Sequence, residues 1–188
     1  MSAPAVSMPS HTKVRDLAYM ALMAALISVC AWITIPIGPV PFTMQTFGIF
    51  AALGLLGGRR GTGAFVLYLL LGVVGLPVFA GFNSGPGVLV GVTGGYLVGF
   101  LFSCLLYWFV TSKLGTSVPV MAVTMGLGLI ICYAFGTAWF ILVYTGGGNG
   151  GTLLGALGMC VFPYVIPDAI KIAVAILITR RVGKHIGR

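Results

Sequence analysis

The sequence is poor in charge, and most of all in acidic residues. Only two of its 188 residues are Asp or Glu, and charged residues of both signs make up 6% of the chain. Soluble globular domains carry about 25% charged residues, so this composition excludes an ordinary water-soluble protein. The two acids, Asp16 and Asp168, lie near opposite ends of the chain. Catalysis by a pair of carboxylates is therefore not expected.

Other chemistries lack their motifs. The sequence has no G-x-x-x-x-G-K-[ST] segment, so we do not expect the chain to bind ATP in the P-loop manner. Its two histidines are terminal and form no Ser/His/Asp set, so we predict that it is not an enzyme. No ring of acids or arginine ladder indicates a channel or voltage sensor. The cysteines stand singly and form no C-x-x-C pair, which predicts neither a metal site nor a cofactor. They are Cys30, Cys104, Cys132 and Cys160.

Apolar residues dominate what is present. The chain is 59% hydrophobic and its mean hydropathy is +1.13, which indicates an integral membrane protein. Its formal charge is +8, but the basic residues fall in short clusters between apolar runs, which favours contact with lipid phosphate over nucleic acid. The first apolar run is too long for a signal peptide and leads to no cleavage site. We predict one integral membrane domain over 1–188, with a flexible tail at 1–12 and a basic tail at 183–188.

Runs of spanning length predict an all-α membrane protein with six transmembrane helices. The segment IPIGPVPF cannot be regular helix, because each proline removes a backbone donor and restrains its predecessor. An apolar segment at 153–162 is too short to cross, and we expect it to pack over a site before the last span. The predicted spans are 17–35, 42–56, 62–79, 89–110, 118–144 and 167–182.

The basic residues predict the orientation of these spans. Nine of the ten fall on one side of the predicted topology, and the opposite loops, 36–44, 80–88 and 145–152, contain none. By the positive-inside rule, the N- and C-termini are cytoplasmic and the three Gly/Pro-rich loops face outward. The expected location is the cytoplasmic membrane of a bacterial cell, as a multi-pass protein.

The tenth basic residue, Lys171, lies inside an apolar run three residues after Asp168. Each charge costs about 2.5 to 3.5 kcal/mol at the centre of a membrane helix. On a helix the two share a face, with about 5 to 6 Å between their Cβ atoms. They could form a buried pair that only steadies the bundle. We favour a polar ligand site, in which Lys171 meets an anionic group and Asp168 accepts from N–H donors.

Three neutral polar residues map to the same depth as this pair. Gln45 follows the proline-rich loop, Asn83 lies in the loop at 80–88, and Tyr96 lies in the outer part of the fourth span. Asn and Gln commonly hydrogen-bond local backbone, so that alternative stays open. Five polar groups in the outer third of the membrane nevertheless predict one binding site.

Two helices carry small residues at helical spacing. Such strips let another helix backbone approach closely. In the fourth span the strip either packs inside the bundle or borders a ligand near Gly94 and Gly95; it comprises Gly91, Gly95, Gly99 and Ser103. In the first span it either packs internally or docks another membrane protein; it comprises Ala18, Ala21, Ala25 and Ser28.

Four segments together resemble the BioY family, the biotin-specific substrate-capture (S) components of energy-coupling factor (ECF) vitamin transporters. They are PIGPVPFTMQ (36–45), GLPVFAG (75–81), GVTGGYLVGF (91–100) and FPYVIPDAIK (162–171). The resemblance implies six helices with an outward vitamin pocket capped by loops. It also implies high-affinity capture of biotin, with energy supplied by a transmembrane scaffold subunit and two ATPases, which agrees with the missing P-loop.

The resemblance also implies roles for individual residues. The family's A-x-x-x-A motif matches Ala21 and Ala25, which would dock on the scaffold. Its D-x-x-K motif matches Asp168 and Lys171, which would contact the ligand, and Gln45 and Tyr96 match by their surrounding motifs. Asn83 or Asp168 could serve the ureido ring of biotin, and Lys171 or Gln45 its carboxylate; which group meets which end stays open.

Two alternatives to this function remain. One is a proton-coupled secondary transporter of a small carboxylate, in which Asp168 carries the proton. The other is a non-transporting membrane assembly protein, in which the charge pair is only a clasp.

Overall fold

The structure is a computed structural model that describes residues 11–146 and 153–183. Most of the predicted N-terminal tail 1–12, of the loop 145–152 and of the basic tail 183–188 lies outside the described residues. The described part is almost entirely helical, with a two-stranded hairpin and a short 3-10 helix, Ala80–Phe82. The helices are α1 His11–Trp32, α2 Gln45–Leu56, α3 Gly58–Val74, α4 Gly87–Val90, α5 Gly94–Leu114, α6 Val118–Gly146, α7 Leu153–Cys160 and α8 Phe162–Gly183.

Four of these helices, α1, α5, α6 and α8, are long and apolar enough to cross a membrane. This confirms a helical, multi-pass architecture. Helix α2 is apolar but has only 12 residues, and α3 has 17 and includes two arginines in its first turn. At 1.5 Å per residue, α2 covers about 18 Å of a hydrocarbon core roughly 30 Å thick. The count of six spans and the side of the termini stay predictions.

The proline-rich segment is not helical, as predicted. Thr34–Ile35 forms strand β1 and Phe42–Thr43 forms β2, paired antiparallel with Thr34 opposite Thr43. The remaining residues, 36–41, make the connection between the strands. Helix α2 therefore starts at Gln45 rather than at 42, and the hairpin lies between α1 and α2.

Two predicted spans end or begin elsewhere in the structure. The third span was expected to reach 79, but α3 stops at Val74, because Gly75 adopts a left-handed φ of 112° and caps the helix. The fourth was expected to run from 89 without a break. Instead α4 ends where Gly91 turns extended, and α5 starts at Gly94, where a Cβ would collide with the carbonyl of Leu89.

The last helix is longer than predicted. Helix α8 begins at Phe162 and continues through Pro167, which was the predicted start of this span. A proline inside a helix removes one backbone hydrogen bond, but helices in membranes tolerate this when neighbours satisfy the freed group. The longer helix places Tyr164 on the same element as Asp168 and Lys171.

The glycine strip of α5 packs inside the bundle, which confirms one of its two interpretations. A Cβ at Gly95 would meet the Trp139 ring, and one at Gly99 would lie 2.9 Å from the Cα of Cys132. The Ser103 hydroxyl donates to the Gly128 carbonyl, also on α6. Among the described residues, α5 and α6 share the most extensive contact of any two helices.

Asp16, the acidic residue near the N-terminal end of the chain, is paired with Arg60. Asp16 Oδ1 lies 3.0 Å from an Arg60 guanidinium nitrogen, as an ion pair by distance without hydrogen-bond geometry. The contact joins α1 to α3. Both side chains are partly exposed, at 30% and 43%, so the pair contributes little to stability.

Candidate ligand-binding site

The Asp168–Lys171 pair is buried, with each residue 5% exposed. Lys171 Nζ donates to Asp168 Oδ1 at 2.7 Å and to the carbonyl of Thr43 at 2.7 Å. It also lies 3.8 Å from the centroid of the Phe42 ring. The other carboxylate oxygen, Asp168 Oδ2, accepts a hydrogen bond from the Tyr133 hydroxyl at 2.6 Å.

These contacts make the pair more than a clasp within one helix. Helix α8 supplies both charges, strand β2 supplies a carbonyl and an aromatic ring to the ammonium, and α6 supplies a hydroxyl to the carboxylate. Buried charges require this number of partners, because attraction within the pair alone seldom offsets the loss of hydration. The site therefore joins three separate elements of the fold.

A cavity of about 290 Å³ opens beside the pair. Its lining includes all five polar residues that the sequence placed at one depth: Gln45, Asn83, Tyr96, Asp168 and Lys171. Small-molecule sites range upward from about 300 Å³, so the cavity is of the size that encloses a small ligand. Apolar side chains form other parts of the wall, among them Phe79, Leu97 and Phe100.

Gln45 enters the cavity from the first residue of α2 and is 6% exposed. Its side-chain Nε2 donates to the Tyr68 hydroxyl at 3.2 Å, which orients the amide. Asn83 is exposed, and its Nδ2 donates to the nearby carbonyl of Ala80 at 2.8 Å. Asn83 thus does satisfy local backbone, as one alternative held, while it also lines the cavity.

Tyr96 stands in the first turn of α5, where its ring packs against Gly136 of α6. Its hydroxyl oxygen lies 3.4 Å from Thr137 Oγ1. The loop before it is held by Trp139, whose Nε1 donates to the Gly91 carbonyl at 3.0 Å. The glycine at 136 leaves room for this ring at the cavity wall.

Two tyrosines that line the cavity, Tyr133 and Tyr164, were not predicted from the sequence. Tyr164 lies in FPYVIPDAIK, four residues before Asp168, so helical spacing could have indicated it. Tyr133 is a hydroxyl-bearing residue in the middle of an apolar run, and that signal is weaker. Cys160, the last residue of α7, also lines the cavity. The prediction that the segment at 153–162 packs over the site is confirmed at this residue.

The arrangement suits binding rather than chemistry on the ligand. The lining combines a buried ammonium and a carboxylate with neutral donors and acceptors and with apolar side chains. Within 11–146 and 153–183, no group of His, Cys, Asp and Glu could hold a metal ion. The cavity fits a small molecule that has both polar and apolar parts.

Comparison with known proteins gives the family. The family model described as "BioY family" matches residues 5–188, nearly the whole chain. The chain belongs to the BioY family. The resemblance stated from four sequence segments is thereby confirmed.

Two relatives match this BioY chain over nearly the whole length of both proteins. A biotin transporter BioY of Thermotoga maritima is 42% identical over 171 residues, covering 90% of this chain and 96% of the relative. A probable biotin transporter BioY of Pyrococcus horikoshii is 36% identical over 169 residues, with the same two coverages. Both are named as transporters rather than enzymes.

A solved structure shares the fold. The crystal structure at 2.1 Å of an S component for biotin from an ECF-type ABC transporter matches with a TM-score of 0.83 and 33% identity, covering 95% of each chain. The fold of this BioY chain is therefore that of an S component. The match also supports partners of the ECF type for this chain.

Proposed function

We propose that the chain is the substrate-capture subunit of an ECF-type vitamin transporter and binds biotin with high affinity in the 290 Å³ cavity. One observation carries the proposal: a buried Asp168–Lys171 pair lines a cavity in a member of a family whose relatives are named biotin transporters. Neither the pair nor the cavity would be needed by a protein that only assembles with others.

The chemistry of biotin suits the lining. Its ureido ring offers two N–H donors and a carbonyl, which a carboxylate and an amide can bind. Its carboxylate matches an ammonium or an amide donor, and its thiophane ring and alkyl chain match apolar walls. We propose Gln45, Asn83, Tyr96, Asp168 and Lys171 as the binding residues. The Lys171 ammonium already contacts Asp168 and Thr43, so a bound ligand group would share this cluster.

The partners proposed are a transmembrane scaffold subunit and two ATPases, besides membrane lipid; no nucleic acid and no cofactor is expected. The position of the alanine motif supports this. Ala18, Ala21 and Ala25 are exposed on α1, so they are not buried inside the bundle. Ser28, by contrast, is buried and donates to the Ala24 carbonyl. The proposed docking strip thus consists of the three alanines.

We propose for the whole domain, 1–188, the topology predicted from the sequence: six spans with both termini in the cytoplasm. Helices α2 and α3 would cross together with the connecting segments at their ends. The outward loops would then include the hairpin and the residues around Asn83, both of which line the cavity. The chain would lie in the cytoplasmic membrane.

Uptake of radiolabelled biotin tests the proposal against its transporting rival. Cells without their own biotin uptake would express the chain with or without an ECF scaffold and its ATPases. We expect fast uptake only with active ATPases, and unchanged uptake after a protonophore when ATP is maintained. Uptake that needs the proton gradient and persists with an inactive ATPase would instead indicate the secondary transporter.

A further inference from the structure

The hairpin is a weak element that forms part of the cavity wall. It has only two residue pairs, Thr34 with Thr43 and Ile35 with Phe42, and an isolated two-stranded hairpin is marginally stable. Three prolines in its connection, Pro36, Pro39 and Pro41, remove backbone donors. Yet Pro39, Val40, Pro41 and Thr43 all line the cavity. Something outside the hairpin must hold these residues in place.

Helix α8 supplies that support at two points. The Tyr164 hydroxyl donates to the Val40 carbonyl at 2.6 Å, and its ring stacks on Phe42 with centroids 6.1 Å apart. Two turns further along the same face, Lys171 Nζ donates to the Thr43 carbonyl. The Val40 side chain adds an apolar anchor, packed with Phe140, Ala156 and Cys160.

We propose that Tyr164 is a positioning residue for biotin binding: its hydrogen bond holds the Val40 segment over the cavity and limits how fast this wall opens. The inference rests on the proposed function. The bond does not involve the ligand, so it stabilises the closed wall in the free and the ligand-bound chain alike. Opening must break it whether biotin is entering or leaving.

This role has a kinetic signature. Tyr164→Phe removes the donor and keeps the ring that stacks on Phe42. Loss of one buried hydrogen bond should raise the opening equilibrium by about twofold to tenfold. The association and dissociation rate constants for biotin should then rise together by that factor, and Kd should stay nearly constant. Loss of a ligand contact would instead raise the dissociation rate alone.

The experiment measures binding and release of radiolabelled biotin by the purified chain in detergent. Tyr19→Phe is the matched control, because Tyr19 is exposed on α1, away from the cavity, and its rates should equal those of the unaltered chain. A parallel rise of both rate constants in Tyr164→Phe supports the proposal. Unchanged rates overturn it, and so does faster dissociation alone, which would make Tyr164 a ligand contact.

A second measurement does not depend on biotin. Gly38 is exposed in the connection between the strands, a Cβ added there would meet nothing within 4 Å, and all four cysteines of the chain are buried. A spin label attached to Gly38→Cys should be more mobile when Tyr164→Phe is also present than when Tyr164 is unaltered. Equal mobility in the two proteins overturns the proposal. If the unaltered chain binds no biotin, the proposed function fails, while the spin label still tests the hairpin.

Discussion

At the scale of single residues, the charge pair is the costly feature of this protein. Asp168 and Lys171 are buried, and each needs partners that the helix itself cannot supply. Tyr133, Thr43 and the Phe42 ring provide them from other elements. Removing one member of such a pair leaves the other buried and unpaired, which costs about 3 to 5 kcal/mol. The residues therefore serve the fold and the site at once.

Lys171→Met should lower biotin affinity by about 30-fold or more, because it removes the only cation at the cavity among the described residues while keeping the apolar stem. Calorimetric titration of the purified variant measures this. Lys113→Met is the matched control: Lys113 also stands over an aromatic ring, Phe109 at 4.6 Å, but at the far end of α5. Its affinity should equal that of the unaltered chain.

The double variant Asp168→Asn with Lys171→Met separates stability from binding. It removes the unpaired charge, so it should unfold at a higher temperature than Lys171→Met alone. It should still bind biotin weakly. Unchanged affinity in Lys171→Met would remove this lysine from the binding site.

At the scale of elements, close packing of α5 on α6 places Tyr96 and Tyr133 at the cavity. The approach depends on small residues, since Gly99 faces the backbone of Cys132 and Ser103 faces Gly128. Only the spacing of these residues was visible in the sequence. Whether the strip faced inward or toward a ligand depended on the rotation of α5, which a strip of small residues does not determine.

Gly99→Ala should destabilise the chain by about 1 to 3 kcal/mol, because the added Cβ would lie 2.9 Å from the Cα of Cys132 and the helices must separate. The midpoint of thermal unfolding in detergent measures the effect. Gly126→Ala, on α6, is the control, since a Cβ there meets nothing within 4 Å. It should be neutral or slightly stabilising. Equal midpoints for the two variants would contradict this account of the packing.

At the scale of the whole molecule, the grouping of the polar residues was predictable from the sequence, and their individual contacts were not. Apolar run lengths and the placement of basic residues assigned Gln45, Asn83, Tyr96, Asp168 and Lys171 to one level, and the structure brings all five to one cavity. The ends of α3, α5 and α8 were predicted less well, because Gly75, Gly94 and Pro167 act through local geometry and neighbours. The hairpin was visible only as a segment that could not be helix.

The exposed face of α1 that carries Ala18, Ala21 and Ala25 should be needed for transport and not for biotin binding. Ala21→Trp adds a large ring to an exposed position, and no residue of α1 lines the cavity in the part of the chain that the structure describes. We expect biotin binding by the purified chain to be unchanged and uptake in cells to be lost. Leu127→Trp, on an exposed face of α6, is the control and should retain uptake. Uptake that survives Ala21→Trp would contradict docking at this strip.

The central claim is that the cavity beside Asp168 and Lys171 holds biotin. Titration of the purified, unaltered chain with biotin in detergent tests it most directly, without any partner subunit. The account predicts saturable, high-affinity binding of one biotin per chain, and it predicts that unlabelled biotin displaces radiolabelled biotin from the chain. If a folded, monodisperse chain gives no heat of binding and retains no radiolabelled biotin, the account is contradicted.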